Sequence, residues 1–223
     1  MKELLIFDLD GLLLDTEKIY FDGWLALFKD HNIPLTAEDI SSWRGQSWQQ
    51  TADQLAQVVG GHERVMALRA EREGFIEAQL MNGTLQMKPY AKETLLLARE
   101  KGFITALATS TMKERAAKLL PHFDLLACFD YLTFGDDVAA HKPDPAPYVR
   151  TLALADKTAA QALVMEDSLL GALAATRAGI EVVLIPDQSF QTTYTEAQKA
   201  GLNLYAETDS LQFVYDLLQA DQL

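Results

Sequence analysis

The stretch Leu4-Leu5-Ile6-Phe7-Asp8-Leu9-Asp10-Gly11 decides how the rest of the chain is interpreted. Its first four residues form a short, continuous apolar run, which is typical of a strand buried on both faces of a parallel sheet. Two carboxylates follow two positions apart, so they lie on one side of an extended segment, and the glycine lets the chain turn sharply. The stretch therefore predicts a buried first strand followed by a functional loop.

The acidic loop after this strand has more than one interpretation. A calcium loop between two helices begins similarly, but it needs an oxygen ligand and then a glycine where this chain has Leu12 and Leu13. That kind of site is excluded. A solvated acidic turn remains as the plain alternative to a catalytic loop.

The length and charge of the chain exclude several classes of function. Its 223 residues suffice for one large domain or for a domain with a substantial insertion. Nineteen basic and 32 acidic residues give a net charge of −13, which repels a phosphate backbone. We therefore expect neither nucleic acid nor an anionic membrane as a partner. A small anionic substrate remains compatible with this charge, because a bound divalent cation and a few lysines can reverse the local field.

The cysteine content and the absence of long apolar runs bear on the compartment. Cys128 is the only cysteine, so the chain forms no internal disulfide and no thiolate zinc cluster. Three aspartates interrupt the first 16 residues, and no apolar run reaches the length of a membrane span. We expect a cytosolic protein. We also expect a monomer.

The pattern of apolar residues changes along the chain. Residues 17–80 have apolar side chains at helical spacing, with breaks at Pro34 and Gly60-Gly61, and Thr36 with Asp39 predicts a helix start. From residue 83 onward, strands and helices alternate. The predicted strands are 4–7, 103–108, 129–134, 162–165 and 182–185. The predicted helices are 91–101, 113–120, one that begins at the prolines of 143–147, one that ends at 177, 194–200 and 210–218.

Strands that alternate with helices predict an α/β fold with a doubly wound parallel sheet. The predicted core domain comprises residues 1–15 and 83–223, and residues 16–82 form an all-helical cap inserted after the first strand. Parallel sheets bind ligands at the carboxyl ends of their strands. The informative polar residues should therefore follow strands directly.

Three groups of polar residues do follow predicted strands: Asp8 with Asp10, Thr109, and Glu166 with Asp167. If these strands are neighbours, the carboxylates converge in one crevice and repel one another unless a hard cation lies among them. Magnesium fits best, because it takes few protein carboxylates and accepts a substrate phosphate as a further ligand.

Lys142 and Thr109 each have a plain interpretation and a functional one. Lys142 opens the turn Lys142-Pro143-Asp144-Pro145 and on its own is a loop charge, while Thr109 on its own is a helix N-cap. With the carboxylates, however, a hydroxyl, amide hydrogens at a helix start and a fixed cation form a receptor for a phosphoryl group.

Taken in order, these signals resemble the motifs of the haloacid dehalogenase superfamily, in its beta-phosphoglucomutase-like branch. The motifs are Asp8-Leu9-Asp10-Gly11 with Asp15-Thr16-Glu17, then Thr109, Lys142-Pro143 and Glu166-Asp167-Ser168. The resemblance spans the whole chain and implies a Rossmann-like core with a helical cap. It also implies a magnesium-dependent enzyme that acts on a small phosphorylated metabolite.

The resemblance implies a role for each motif residue. Asp8 attacks phosphorus and becomes an aspartyl phosphate, and Asp10 is the general acid and base, with its backbone carbonyl on the metal. Thr109 binds the phosphoryl oxygens and Lys142 neutralises charge. The implied metal set is Asp8, Asp10, Glu166 and Asp167, with Glu166 bound directly or through water. The implied substrate-binding set is Asp8, Leu9, Asp10, Glu17, Arg44, Thr109, Ser110, Thr111 and Lys142.

The second aspartate distinguishes between branches of the family. Asp10 argues against a dehalogenase, which needs no such acid, and against a phosphonatase, which has a small residue there. Beta-phosphoglucomutases use a histidine at a position that looks like Tyr20 of this chain and an arginine at a position that falls near Trp48. A phosphatase is therefore the predicted function, a sugar phosphate mutase is the alternative, and a non-catalytic phosphate-responsive binding protein is the third interpretation.

Overall fold

The structure is a computed structural model that describes residues 1–43, 48–188 and 193–223. Within these ranges the chain forms two compact units. One comprises Met1–Asp15 and Met87–Leu223, and the other is Thr16–Gln86. Across the described ranges, no helix combines the length and the apolar character that a membrane span requires.

The first unit is built on a parallel sheet. In the described part of the chain its strands are Leu4–Phe7 (β1), Ile104–Ala108 (β2), Tyr131–Thr133 (β3), Ala162–Glu166 (β4), Glu181–Leu184 (β5) and Leu204–Glu207 (β6). The strand order is β3-β2-β1-β4-β5-β6 and every pairing is parallel. Helices flank this sheet, so the predicted Rossmann-like α/β fold is confirmed.

Helices make up most of the remaining structure. Their bounds in the described ranges are Thr16–Asp30 (α1), Ala37–Ser42 (α2), Trp48–Val59 (α3), His62–Met81 (α4), Ala91–Glu100 (α5), Lys113–His122 (α6), Ala146–Ala155 (α7), Leu169–Arg177 (α8), Glu196–Lys199 (α9) and Gln212–Gln219 (α10). In the first unit, α5 contacts β2, α7 contacts β2 and β3, and α8 contacts β4 and β5.

β1 lies in the interior of the sheet, between β2 and β4. All four of its residues are fully buried, as the continuous apolar run predicts for a strand covered on both faces. Phe7 pairs with Leu107 on one side and with Met165 on the other. The residues that follow β1, β2 and β4 therefore reach the same edge of the sheet.

The prediction missed β6 entirely. Among the described strands it pairs with β5 alone, at the edge of the sheet, and its residues alternate between half-buried and exposed. It therefore lacks the apolar run that identifies the interior strands.

Helix α6 is longer than predicted, because it continues through Pro121 to His122. The prediction ended the helix at residue 120. A proline in the last turn removes only one backbone donor, and the chain leaves the helix with the amide of Asp124 donating to the carbonyl of Pro121 at 3.1 Å.

The second unit, Thr16–Gln86, consists of α1 to α4, as the helical spacing predicts. The predicted helix start is confirmed: the Thr36 hydroxyl accepts from the Asp39 amide at 3.3 Å, and the Asp39 carboxylate accepts from the Thr36 amide at 2.7 Å. Trp24, Phe28 and Leu55 lie in the apolar core of this unit.

Candidate active site

Asp8, Lys142 and Glu166 form a buried chain of charges at the carboxyl edge of the sheet. Lys142 Nζ lies 2.5 Å from Asp8 Oδ1 and 2.5 Å from Glu166 Oε1. Their side chains are 9%, 7% and 1% exposed, in the order Asp8, Lys142, Glu166. Asp8 follows β1 and Glu166 ends β4, so the pairing of these two strands brings them together. This geometry does not fit the plain interpretations, which were a loop charge for Lys142 and a solvated acidic turn for Asp8.

The ammonium group of Lys142 has an acceptor for each of its three protons. Besides the two carboxylates, the carbonyl of Ala108 at the end of β2 accepts from Nζ at 2.9 Å. The turn that carries Lys142 is held in place by Arg177, whose Nη1 donates to the carbonyl of Pro143 at 2.7 Å. The lysine is therefore fixed in direction.

Glu166 is held by donors on both of its oxygens. Oε1 accepts from the Tyr148 hydroxyl at 2.7 Å as well as from Lys142, and Oε2 accepts from the Ser168 hydroxyl at 3.0 Å and from the Ser168 amide at 3.3 Å. A Cβ atom on Gly171 would lie 1.9 Å from Cδ of Glu166, so only glycine allows the carboxyl group its position. Glu166 anchors Lys142.

Burial dominates the electrostatics of this site. It raises the pKa of Asp8 to about 7, even though attraction to Lys142 lowers it, and the neighbouring Glu166 adds to the rise. Burial alone would lower the pKa of Lys142, but attraction to Asp8 and Glu166 outweighs it and holds the pKa of Lys142 well above its usual value. Burial raises the pKa of Tyr148 well above its usual value. Lys142 is therefore protonated and Tyr148 is a neutral donor near pH 7.

The loop after β2 contains Thr109, Ser110 and Thr111. Thr109 is buried, its amide donates to the carbonyl of Thr133 at 3.0 Å, and its hydroxyl accepts from the amide of Thr111 at 3.0 Å. Met112, rather than Thr109, is the N-cap of α6, so the plain interpretation of Thr109 as a cap is wrong. Ser110 is exposed. Thr109 therefore orders the backbone of a loop at the same edge of the sheet as Asp8.

The carboxylate of Asp10 accepts hydrogen bonds on both of its oxygens. Arg115 Nη2 donates to Oδ1 at 2.6 Å, and the Thr111 hydroxyl donates to Oδ2. Arg115 and Tyr148 were not predicted as site residues, because neither belongs to a motif. The signal that the sequence offered for Arg115 was its place in the first turn of α6, shortly after the loop that contains Thr109 and Thr111.

Asp8, Glu166 and Asp167 form a group that could hold a metal ion. One carboxylate oxygen of each lies within 4.8 Å of the others. The donor set consists of oxygens only and two of its members are buried, which fits a hard divalent cation such as magnesium. A cation there also offsets the repulsion that raises the pKa of Asp8.

Three further residues of the predicted substrate-binding set are Leu9, Glu17 and Arg44. Leu9 is fully buried, and its carbonyl accepts from the amides of Leu13 and Leu14 at 3.0 Å each. Glu17 is in the first turn of α1, in the second unit. Arg44 lies outside the described residues.

The sequence matches a family model over most of its length. The model is that of haloacid dehalogenase-like hydrolases, and the match covers residues 5–185 of 223. The chain belongs to this family. The resemblance predicted from the four motifs is confirmed, and the protein is a haloacid dehalogenase-like hydrolase.

Relatives of this hydrolase include named phosphatases. The phosphorylated carbohydrates phosphatase of Thermotoga maritima is 31% identical, over 80% of this chain and 82% of its own length. The validoxylamine A 7'-phosphate phosphatase of Streptomyces hygroscopicus is 30% identical, over 81% of this chain and 84% of its own. CbbY from Rhodobacter sphaeroides, solved in complex with phosphate, shares the fold with a TM-score of 0.76 at 24% identity, covering 97% of this chain and 96% of its own.

Proposed function

We propose that this hydrolase is a magnesium-dependent phosphatase that cleaves a small phosphomonoester through an aspartyl phosphate on Asp8. The observation that carries the proposal is the contact of Lys142 with Asp8 at 2.5 Å, in a group of carboxylates that also includes Asp167. A buried carboxylate paired with a lysine is suited to attack the phosphorus atom of an anionic phosphate ester, because the ammonium group offsets the negative charge of both reactants.

The reaction divides into two displacements. In the first, a carboxylate oxygen of Asp8 attacks phosphorus, the bond from phosphorus to the alcohol oxygen breaks, and this oxygen takes a proton from Asp10. In the second, water gives a proton to Asp10 and attacks phosphorus, and the bond to the Asp8 oxygen breaks. Inorganic phosphate leaves, and both aspartates return to their starting states. Lys142 and the loop at Thr109 offset the charge on the phosphoryl oxygens in both steps.

Asp8, Asp167 and the backbone carbonyl of Asp10 would hold the magnesium ion. When bound, the ion supplies positive charge at the phosphoryl group. Glu166 contributes in a different way. Because Lys142, Tyr148 and Ser168 occupy its two oxygens, we place it behind Lys142 as the group that holds the lysine.

A phosphorylated carbohydrate or a similar small metabolite is the proposed substrate class. The names of the two phosphatase relatives support it. We propose that the helical segment 16–82 serves as the cap that selects the leaving group. Cys128 is buried with a free thiol, which agrees with the reducing cytosol as the proposed compartment.

The second unit supports a phosphatase over a mutase. The positions where beta-phosphoglucomutases use histidine and arginine look like Tyr20 and fall near Trp48 in this chain. The guanidinium of Arg72 lies 4.4 Å from the ring centroid of Tyr20, and that of Arg69 lies 4.3 Å from the ring centroid of Trp48. Both aromatic side chains are therefore engaged in cation–π contacts within the cap.

A panel of phosphomonoesters, assayed for released phosphate with magnesium and with EDTA, tests the proposal. The wild type should require magnesium, and Asp8→Asn should lower kcat by roughly 10³-fold or more, because it removes the nucleophile. Asp22→Asn, at an exposed ion pair with Lys18, is the control and should leave turnover unchanged. Turnover by Asp8→Asn at the wild-type rate would contradict the proposal. With beta-glucose 1-phosphate and its bisphosphate activator, accumulation of the 6-phosphate instead of free phosphate would indicate a mutase.

A further inference from the structure

Asp10 is the proposed proton donor and acceptor, and its carboxylate is held from two sides. Oδ1 accepts from Arg115 on α6, and Oδ2 accepts from the Thr111 hydroxyl in the loop after β2. The Asp10 and Arg115 side chains are 18% and 19% exposed, so this ion pair is mostly removed from solvent. A donor on each oxygen fixes both the position of the carboxylate and its rotation about the Cβ–Cγ bond.

Arg115 is itself held by the start of its helix. It lies in the first turn of α6, and its amide donates to the carbonyl of Met112 at 3.1 Å. The amide of Thr111 donates to the Thr109 hydroxyl, so one loop carries both the Thr111 donor and the Thr109 side chain. Arg115 holds Oδ1 and Thr111 holds Oδ2, so the loss of Arg115 removes the donor on Oδ1 that fixes the rotation of the carboxylate.

We propose that Arg115 is a positioning residue that aims the carboxylate of Asp10 at the leaving oxygen. The proposal rests on the proposed function of Asp10 and extends it to a residue that no motif contains. Each carboxylate oxygen has a second lone pair. Asp10 can therefore carry the transferred proton while Arg115 and Thr111 remain bound to its carboxyl group.

The consequence depends on the leaving group. An alkyl alcohol is a poor leaving group and needs a proton as its bond to phosphorus breaks, whereas p-nitrophenolate leaves without one. A misaimed Asp10 should therefore slow the cleavage of alkyl phosphates and affect p-nitrophenyl phosphate far less. A residue that only stabilised the fold, or only bound the phosphoryl group, would affect all esters by the same factor.

The experiment compares Arg115→Met with the wild type on p-nitrophenyl, phenyl and alkyl phosphates. We use kcat/KM, because it reports the steps up to the departure of the alcohol. Arg115→Met should lower kcat/KM by about 10- to 100-fold for the alkyl ester and by less than about 3-fold for the p-nitrophenyl ester. An equal loss for all three esters would overturn the proposal.

Four further variants separate positioning from other effects. Thr111→Val should show the same dependence on the leaving group, and Arg115→Lys should recover part of the loss. In an Asp10→Asn background, Arg115→Met should no longer change the ratio between esters. A ratio that still changed there would overturn the proposal, because Arg115 would then act without Asp10. Arg150→Met removes an exposed arginine on α7 and is the control.

A crystal structure of Arg115→Met decides the same question without turnover. The carboxylate of Asp10 should leave the orientation in which Thr111 and Arg115 hold it. An unchanged Asp10 would overturn the proposal. If the wild type cleaved no phosphate ester, the proposed function would fail, while this structure would still show whether Arg115 positions Asp10.

Discussion

Replacing Lys142 with methionine should destabilise the protein strongly, because two buried carboxylates lose the cation between them. The Asp8, Lys142 and Glu166 side chains are all less than 10% exposed, and Lys142 contacts each carboxylate at 2.5 Å. Breaking a buried ion pair by removing one partner costs about 3–5 kcal/mol. At about 2–4 °C per kcal/mol for a chain of this size, the melting temperature should fall by roughly 10 °C.

Circular dichroism melts in EDTA at pH 8 measure this loss. Magnesium should restore more stability to Lys142→Met than to the wild type, because a divalent cation replaces the missing charge. Adding Glu166→Gln to the variant should recover part of the melting temperature, since one of the two carboxylates is then neutral. Lys157→Met is the matched control, because its ion pair with Glu3 lies at the surface and is screened by water. If the melting temperature of Lys142→Met in EDTA fell no further than that of Lys157→Met, the reasoning would be refuted.

Three more predictions concern the same edge of the sheet. Gly171→Ala should lower kcat by at least about 10-fold, because the new Cβ atom would displace Glu166. Gly74→Ala is the control: its Cβ atom would have no neighbour within 4 Å, so kcat should be unchanged. Gly135→Ala would put a Cβ 2.3 Å from the carbonyl oxygen of Ser110 and so shift the loop that we propose binds the phosphoryl group. KM should therefore rise, and an unchanged KM would count against that proposed role. In EDTA, folding raises the pKa of Asp8 from 3.8 to about 7, so the contribution of Asp8 to the free energy of unfolding should be complete below pH 4 and should be lost as the pH rises through 7. Melts of Asp8→Asn between pH 5 and 8 should lack this decrease, and a decrease that persisted would assign it to another group.

The interior of the sheet could be predicted from the sequence because a strand that is buried on both faces is a continuous run of apolar residues. β1 and β4 are continuous apolar runs that end at acidic residues, and their pairing follows from the alternation of strands and helices. The convergence of Asp8 with Glu166 is a consequence of that pairing. β6 could not be found in the same way, because an edge strand buries only part of each side chain.

The residues that hold the site were harder to predict than those that form it. Tyr148 is an ordinary apolar position in the pattern of α7, and only the packing of that helix shows that its hydroxyl reaches Glu166 at 2.7 Å. Arg115 looks like any charged residue near a helix start, and its contact with Asp10 depends on the rotation of α6 about its axis. Such contacts join residues that are more than 15 positions apart and belong to no shared motif.

Trapping the phosphoryl group on the protein tests the central claim most directly. The wild type is mixed with a ³²P-labelled phosphomonoester and magnesium, quenched in acid within one turnover, and digested for mass spectrometry. We predict a label that hydroxylamine releases, carried by the peptide that contains Asp8 and absent in Asp8→Asn. Phosphate release at the wild-type rate with no label on Asp8, or a label on another residue, would contradict the account.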